Sequence, residues 1–444
     1  MTNRQPNFIV ILTDDQGWGD LGANGAPGVD DLATPHLDRL AETGVRCTQW
    51  YSNSPVCSAS RAALLTGRVP QRAGVPGNVS PAWDARGLSE HVTTFAEAIR
   101  DLGYATCMSG KWHLGQAEPD RPHRRGFEDW FGFLHGCIDY YSHIFYWCLA
   151  DNRPPRHDLW DNNREIHRDG EYIIDLITER ALEQLRRVAR ERRPFFLYLP
   201  FNAPHYPIHA PRHWFDQFAH LPEARRLTAV MMAVYDAAVG RIVDELEKLG
   251  LRQNTCIVCS SDHGPSREPR NWPDGREAVF PGGSTGGLRG AKFSLFDGGI
   301  RVPTVMSWPA QLPSGQVCDE LGAHMDLFPT LLRAAGGDPE KYEVDGRNVL
   351  KMLRGEASAP RRDLCWQIGE QRAIRRGDWK LVLNGFLPGE QTKAHEVHLS
   401  HLGDDPGEQR NLADQEPQRR EAMRAALEEW SANLVAAARA SESG

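Results

Sequence analysis

The sequence has no apolar run approaching the roughly 20 residues that a membrane-spanning helix needs. It also has no excess of positive charge: 51 lysines and arginines face 59 acids, a formal net charge of −8. The first absence argues against a helical membrane protein. The second removes any general electrostatic case for nucleic acid or a membrane surface as partner. Cysteine lacks a pairing pattern, since nine residues at irregular spacing do not make a disulfide framework. Cys256 and Cys259 form a C-x-x-C in NTCIVCSSDHG. That run reads as a strand, where the two thiols point to opposite faces and not toward one ion. No internal repeat is present, and GGSTGG (282–287) is the one low-complexity patch. The apolar run after MTNRQP is too short for a span and lacks a small-residue cleavage site. No signal peptide is therefore expected, and the protein is expected to be cytoplasmic.

What is present suits a large soluble fold: 444 residues, 40% hydrophobic and 25% charged. NFIVILT (7–13) is a continuous apolar, β-rich run bounded by acids, the pattern of a strand covered on both faces. TPHLDRLAETG (34–44) predicts a helix with Thr34 as N-cap and Gly44 as stop. VRCTQWY predicts a further strand. Strand–helix alternation continues through 93–110, 171–199 and 227–261. It predicts an α/β fold: a large, mainly parallel sheet with helices on both faces. From about 360 the texture changes to short alternating segments, RAIRRGDWKLVLNG, and a closing helix. We expect a catalytic domain over 1–358 and a smaller C-terminal subdomain over 359–444, an antiparallel sheet with a helix.

Ligands of such sheets bind beyond the carboxyl ends of the strands, and there the polar clusters fall: TDDQ, SGKWH, FNAPH and SDHG. Asp14 and Asp15 are adjacent carboxylates that repel one another. A solvated turn explains an isolated pair, but Asp262 and His263 at a second strand end favour a divalent metal. Arg61, Lys111 and Lys292, with His113 and His205, would complete a site for a tetrahedral oxyanion, the cations neutralising charge and a histidine supplying a proton. Cys57, in PVCSASRAALLTGR, precedes a short helix whose N–H groups favour anions. A soft thiolate is poorly matched to a hard, carboxylate-bound metal, so the site calls for an oxygen nucleophile.

PVCSASRAALLTGR resembles the signature of the formylglycine-dependent sulfatases, arylsulfatase-like members of the alkaline phosphatase superfamily. The resemblance extends through NFIVILTDDQGWGDLG, SGKWHLG, NAPHYP, SSDHG, LRGAKFSLFDGGIRVP, GDWKLV and DPGEQRNLAD. It implies that a maturation enzyme oxidises Cys57 to formylglycine, whose hydrate supplies the oxygen nucleophile. By the same resemblance Asp14, Asp15, Asp262 and His263, with the modified Cys57, hold the metal. Arg61 holds the aldehyde hydrate, Lys111 and Lys292 clamp sulfate, His113 is the base that restores the aldehyde, and His205 is the acid near the leaving oxygen. The metal implied is Ca2+, with Mn2+ or Mg2+ as alternatives.

Two positions depart from the family pattern. Ala59 stands where members usually carry Pro, the residue that the aerobic maturing enzyme reads; an anaerobic radical route accepts Ala. His263 stands where many sulfatases have Asn, and an imidazole suits Mn2+ better than Ca2+. The expected substrate is a small sulfated molecule, a sugar sulfate in preference to an aryl sulfate. Segment 135–170 mixes aromatics, His and Arg as a specificity loop does. The long loop 264–290 is expected to line the pocket, with Arg267 and Arg270 available to a second anionic group. Two other readings stay open: a phosphate or phosphonate ester hydrolase on the same scaffold, and an unconverted binder of sulfated ligands.

Overall fold

A computed structural model of the chain describes residues 5–26, 32, 34–146, 154–268, 282–388 and 396–442, with side chains as far as Leu434. The apolar run Asn7–Thr13 is the central strand of a ten-stranded sheet. It pairs in parallel with Phe195–Pro200 on one side and Thr255–Ser261 on the other. Ala105–Lys111 and Asp129–Phe133 extend the parallel centre. Thr304–Ser307 turns antiparallel against Thr255–Ser261 and leads to the Val45–Cys47 and Gln316–Cys318 edge. The centre strand is wholly buried because helices cover both faces, which is why it carries no polar alternation.

Successive side chains point to opposite faces and feed two cores. Ile9, Ile11, Leu197 and Leu199 pack with the helices Ile173–Glu191 and Glu223–Lys248. Phe8, Val10, Phe196 and Tyr198 pack with Phe95–Arg100, Leu327–Ala334 and the apolar half of Cys57–Thr66. Cys256 and Cys259 fall in different cores, as strand geometry requires.

Two local expectations are corrected. VRCTQWY is not one strand. Val45–Cys47 joins the main sheet, while Trp50–Tyr51 leaves it to pair with Gly322–Ala323. Thr34 occupies the N-cap of the Pro35–Glu42 helix without capping it. Its hydroxyl serves Asp38 and the Gly22 N–H, and the carboxylate of Asp236, on another helix, accepts from His36 and Leu37 N–H at 3.1 and 2.8 Å.

The C-terminal sheet is an antiparallel meander of Leu364–Ile368, Gln371–Arg376, Trp379–Leu383 and Val397–His401. The Pro417–Glu442 helix covers it through Met423 and Leu427.

Candidate active site

The parallel register brings Thr13, Ser261, Pro200 and Lys111 to one edge, so the polar segments after them converge. Asp15 follows the central strand at φ 70°, a left-handed conformation that few non-glycine residues adopt. The turn places the Asp15 N–H 3.2 Å from Asp262 Oδ1. Cys57 opens the helix Cys57–Thr66, which ends at Gly67 in the left-handed region (φ 67°). Ser and Ala side chains let this helix run buried along its whole length. Asn78 Oδ1 accepts from the Ser58 N–H at 3.1 Å, satisfying a donor of its first turn.

Cys57 Sγ lies 3.5 Å from Asp14 Oδ1 and 3.3 Å from His263 Nε2. Asp14, Cys57, Asp262 and His263 each offer a ligand atom within 4.8 Å of the others; Asp14, Asp15, Cys57 and His205 form an overlapping group. His263 donates from Nδ1 to the Gly264 carbonyl (2.9 Å), which leaves the Nε2 lone pair turned to the cluster. Burial raises the Asp15 carboxyl well above the usual carboxylate range; Lys292 opposes this, and the charges of Asp14, Asp262 and Glu268 add to it. Asp15 Oδ1 is 3.1 Å from Lys292 Nζ, yet no donor among the described residues meets it in hydrogen-bonding geometry. Clustered carboxylates, an orphaned buried oxygen and a lone-pair nitrogen fit a divalent cation.

The cations sit around this cluster. Lys111 Nζ is 2.5 Å from Asp14 Oδ2. Burial would raise Asp14, but Lys111, His205, Arg61 and Lys292 together hold it well below the usual range. Arg61 is fully buried; it donates to Asp262 Oδ2 from Nε and Nη2 (3.2 and 2.9 Å) and to the Lys111 carbonyl. Lys292 Nζ stands between Asp15 Oδ2 (3.2 Å), Glu268 Oε2 (3.2 Å) and His205 Nε2 (3.4 Å). His205 Nδ1 donates to the Tyr206 carbonyl at 2.6 Å, so its Nε2 accepts from Lys292. Burial, with Lys292 and Lys111 adding to it against Asp14, brings the His205 imidazole down to about 3. Burial, aided by Lys111 and Arg61, likewise keeps His113 unprotonated.

A cavity of about 290 Å³ opens over the cluster, lined by Cys57, His113, His205 and Lys292 among others. Asp14, Asp15, Cys57, Arg61, Lys111, His113, His205, Asp262, His263 and Lys292 are thus gathered at one place, all of them buried. Arg267, expected to meet a second anionic group, donates to the Gly283 and Ser266 carbonyls and is not among the residues that line this cavity. Arg270 lies outside the described residues. The cavity also gathers residues that carried no signal in the sequence. Glu268 contacts Lys292 from an irregular loop, and His135 lies in a segment legible only as mixed aromatic and polar.

The sequence model of the Sulfatase family matches residues 6–337, and that of the N-sulphoglucosamine sulphohydrolase C-terminal region matches 291–433. N-acetylgalactosamine-6-sulfatase of Mus musculus is 32% identical, across 91% of this chain and 81% of that protein. Arylsulfatase G of Mus musculus is 33% identical, across 81% and 71%. Among solved structures, Ps i-CgsB in complex with k-i-k-neocarrahexaose superposes with a TM-score of 0.83 at 28% identity, covering 96% of this chain and 93% of that one. With a buried carboxylate–imidazole cluster under a cation-lined cavity, and a family match that runs nearly end to end, the chain belongs to the formylglycine-dependent sulfatases and is a sulfuric ester hydrolase.

Proposed function

We propose that the protein removes sulfate from a carbohydrate sulfate ester, using formylglycine made from Cys57. The observation that carries this is the setting of Cys57 Sγ, in contact with Asp14 and His263 at the floor of the cavity. Burial pushes the thiol far above neutral pH, with Asp14 and Asp262 adding to this against Lys111 and Lys292, so an ordinary thiolate nucleophile is not available. Sγ marks the place of an aldehyde-hydrate oxygen, and that hydrate supplies both a nucleophile and the means to expel sulfate by elimination. Asp14, Asp15, Asp262 and His263 would hold the cation, Ca2+ by family resemblance with Mn2+ or Mg2+ as alternatives, which supplies Lewis-acid polarisation of an oxygen.

Lys111 and Lys292 present ammonium groups for the charge of a bound sulfate. Arg61 sits behind Asp262 and fixes its carboxylate. Lys292 Nζ and His205 Nε2 share one hydrogen bond and act as a single proton-holding pair for the leaving oxygen. Unprotonated His113, lining the same cavity, receives the proton released at position 57. The cavity lies at the small end of ligand pockets, roughly 300–1,000 Å³, and suits a single ring better than a long chain. The N-acetylgalactosamine-6-sulfatase relatives, and the neocarrahexaose bound to the similar solved structure, support a sugar as that ring.

The experiment is mass spectrometry of the tryptic peptide that contains Cys57, from protein made in its own host, paired with sulfate release from sugar sulfates. An aldehyde at 57 with turnover is expected. A thiol at 57 in fully active protein overturns the assignment.

A further inference from the structure

One buried pair, whose histidine lines the cavity, holds a hydrogen-bonding atom that no described residue meets. His135 Nδ1 lies 2.8 Å from Asp158 Oδ2, and both side chains are fully buried. Asp158 also accepts from the Leu134 and His135 N–H groups (3.1 and 2.9 Å) and from the Trp160 indole N–H (2.8 Å). Burial would raise this carboxyl, but His135 and those backbone donors hold it below the usual range. An ionised Asp158 only accepts, so Nδ1 of His135 carries the hydrogen and Nε2 is the nitrogen left over.

That Nε2 is buried without a partner among the described residues. His135 lines the cavity together with Cys57, His113 and Lys292. Its ring is held in place: it stacks on Phe145 with centroids 4.2 Å apart, and Trp83 meets it edge-on, also at 4.2 Å. A buried polar atom is costly to leave unmet. A clamped ring with its other nitrogen fixed by a carboxylate is the arrangement that orients an acceptor toward a ligand.

We propose that the Asp158–His135 pair reads a hydroxyl of the sugar ring that carries the sulfate. His135 Nε2 accepts from that hydroxyl, and Asp158 is a positioning residue that fixes which nitrogen is presented. The inference rests on the carbohydrate reading above and adds a specificity-determining contact to it.

The test compares kcat/KM for sulfate release from N-acetylgalactosamine 6-sulfate with kcat/KM for 4-nitrophenyl sulfate, an ester that brings no sugar hydroxyl. His135→Phe keeps the ring stack and removes the acceptor; His135→Gln returns a polar atom. The sugar-to-aryl ratio is expected to fall about 10- to 100-fold in His135→Phe and to recover in part in His135→Gln. Asp158→Asn should raise KM for the sugar ester more than it lowers kcat. An unchanged ratio in His135→Phe, with the protein folded by circular dichroism, overturns the proposal. If the wild type cleaves the aryl ester but no galactose, glucosamine or fucose monosulfate, the carbohydrate reading has failed and this inference with it. That outcome is distinct because it is read in the wild type alone.

Discussion

Cys57 occupies the first position of a helix, where backbone N–H groups favour an anion, yet burial keeps its thiol protonated. The position suits an oxygen anion, as the proposed conversion of Cys57 to formylglycine requires. Cys57→Ser places a hydroxyl there that can accept sulfate but has no second hydroxyl with which to expel it. Intact-mass analysis after exposure to 4-nitrophenyl sulfate should show one added sulfate per chain, with kcat down by about 10³-fold or more; sustained multiple turnover would sink the scheme. Gly136 carries a second prediction. A Cβ there would lie 2.7 Å from Cε1 of the His113 ring, so Gly136→Ala must push the imidazole aside. We expect kcat to drop about 10- to 100-fold while the melting temperature stays within a few degrees. Equal activity in the two proteins would remove His113 from the chemistry.

At the scale of elements, the site is a consequence of parallel register. Strands that start and finish together deliver Asp14, Lys111, Asp262 and the segment leading to His205 to one edge, and the Cys57–Thr66 helix closes over them. Supporting helices are tied in by long-range contacts. Asp236 caps the Pro35–Glu42 helix from the middle of Glu223–Lys248, on the face away from the Cys57 helix. Asp236→Ala leaves two helix N–H groups without their acceptor and should cost about 1–2 kcal/mol. Urea unfolding should show the lowered midpoint, and kcat/KM of the folded protein should be untouched. A midpoint equal to the wild type's would show that water replaces the cap.

Across the whole molecule, the C-terminal sheet braces the segment that carries Lys292. Gln371 Nε2 donates to the Phe293 carbonyl (2.8 Å), Arg289 Nη1 to the Glu408 carbonyl (2.9 Å), and the Asp297 N–H to Glu408 Oε2 (2.6 Å). Lys380 lies buried between Asp297 and Glu408, at 2.6 and 3.2 Å. Burial pushes Glu408 up to about 7, with Lys380 opposing and Asp297 reinforcing. Between its ordinary value of 4.5 and 7 the folded chain therefore holds a proton that the unfolded chain releases, and stability falls as pH rises through that window. Glu408→Gln removes the titration. Relative to that variant, the wild type should lose on the order of 2 kcal/mol between about pH 4.5 and pH 7, read by urea unfolding. A gap that stays constant with pH would show that Glu408 does not titrate in the fold.

The sequence alone determined the sheet and the chemistry at its edge. Apolar runs end abruptly in acids, lysines and histidines, and both the strand period and the cluster are local features. It also placed Cys256 and Cys259 on opposite faces, a matter of parity along one strand. What tertiary structure decided were the partners. Asp158 meets His135 across 23 positions, Glu268 meets Lys292 across about as many, and Asp236 reaches a helix about 200 residues away. None of these residues breaks a local pattern, so nothing in its own stretch of chain announces it. Thr34 shows the converse: it bears the local mark of a cap, yet a carboxylate delivered by the fold takes the two helix N–H groups. Hydrogen bonds go to the acceptor that packing brings nearest, and only the folded chain settles which one that is.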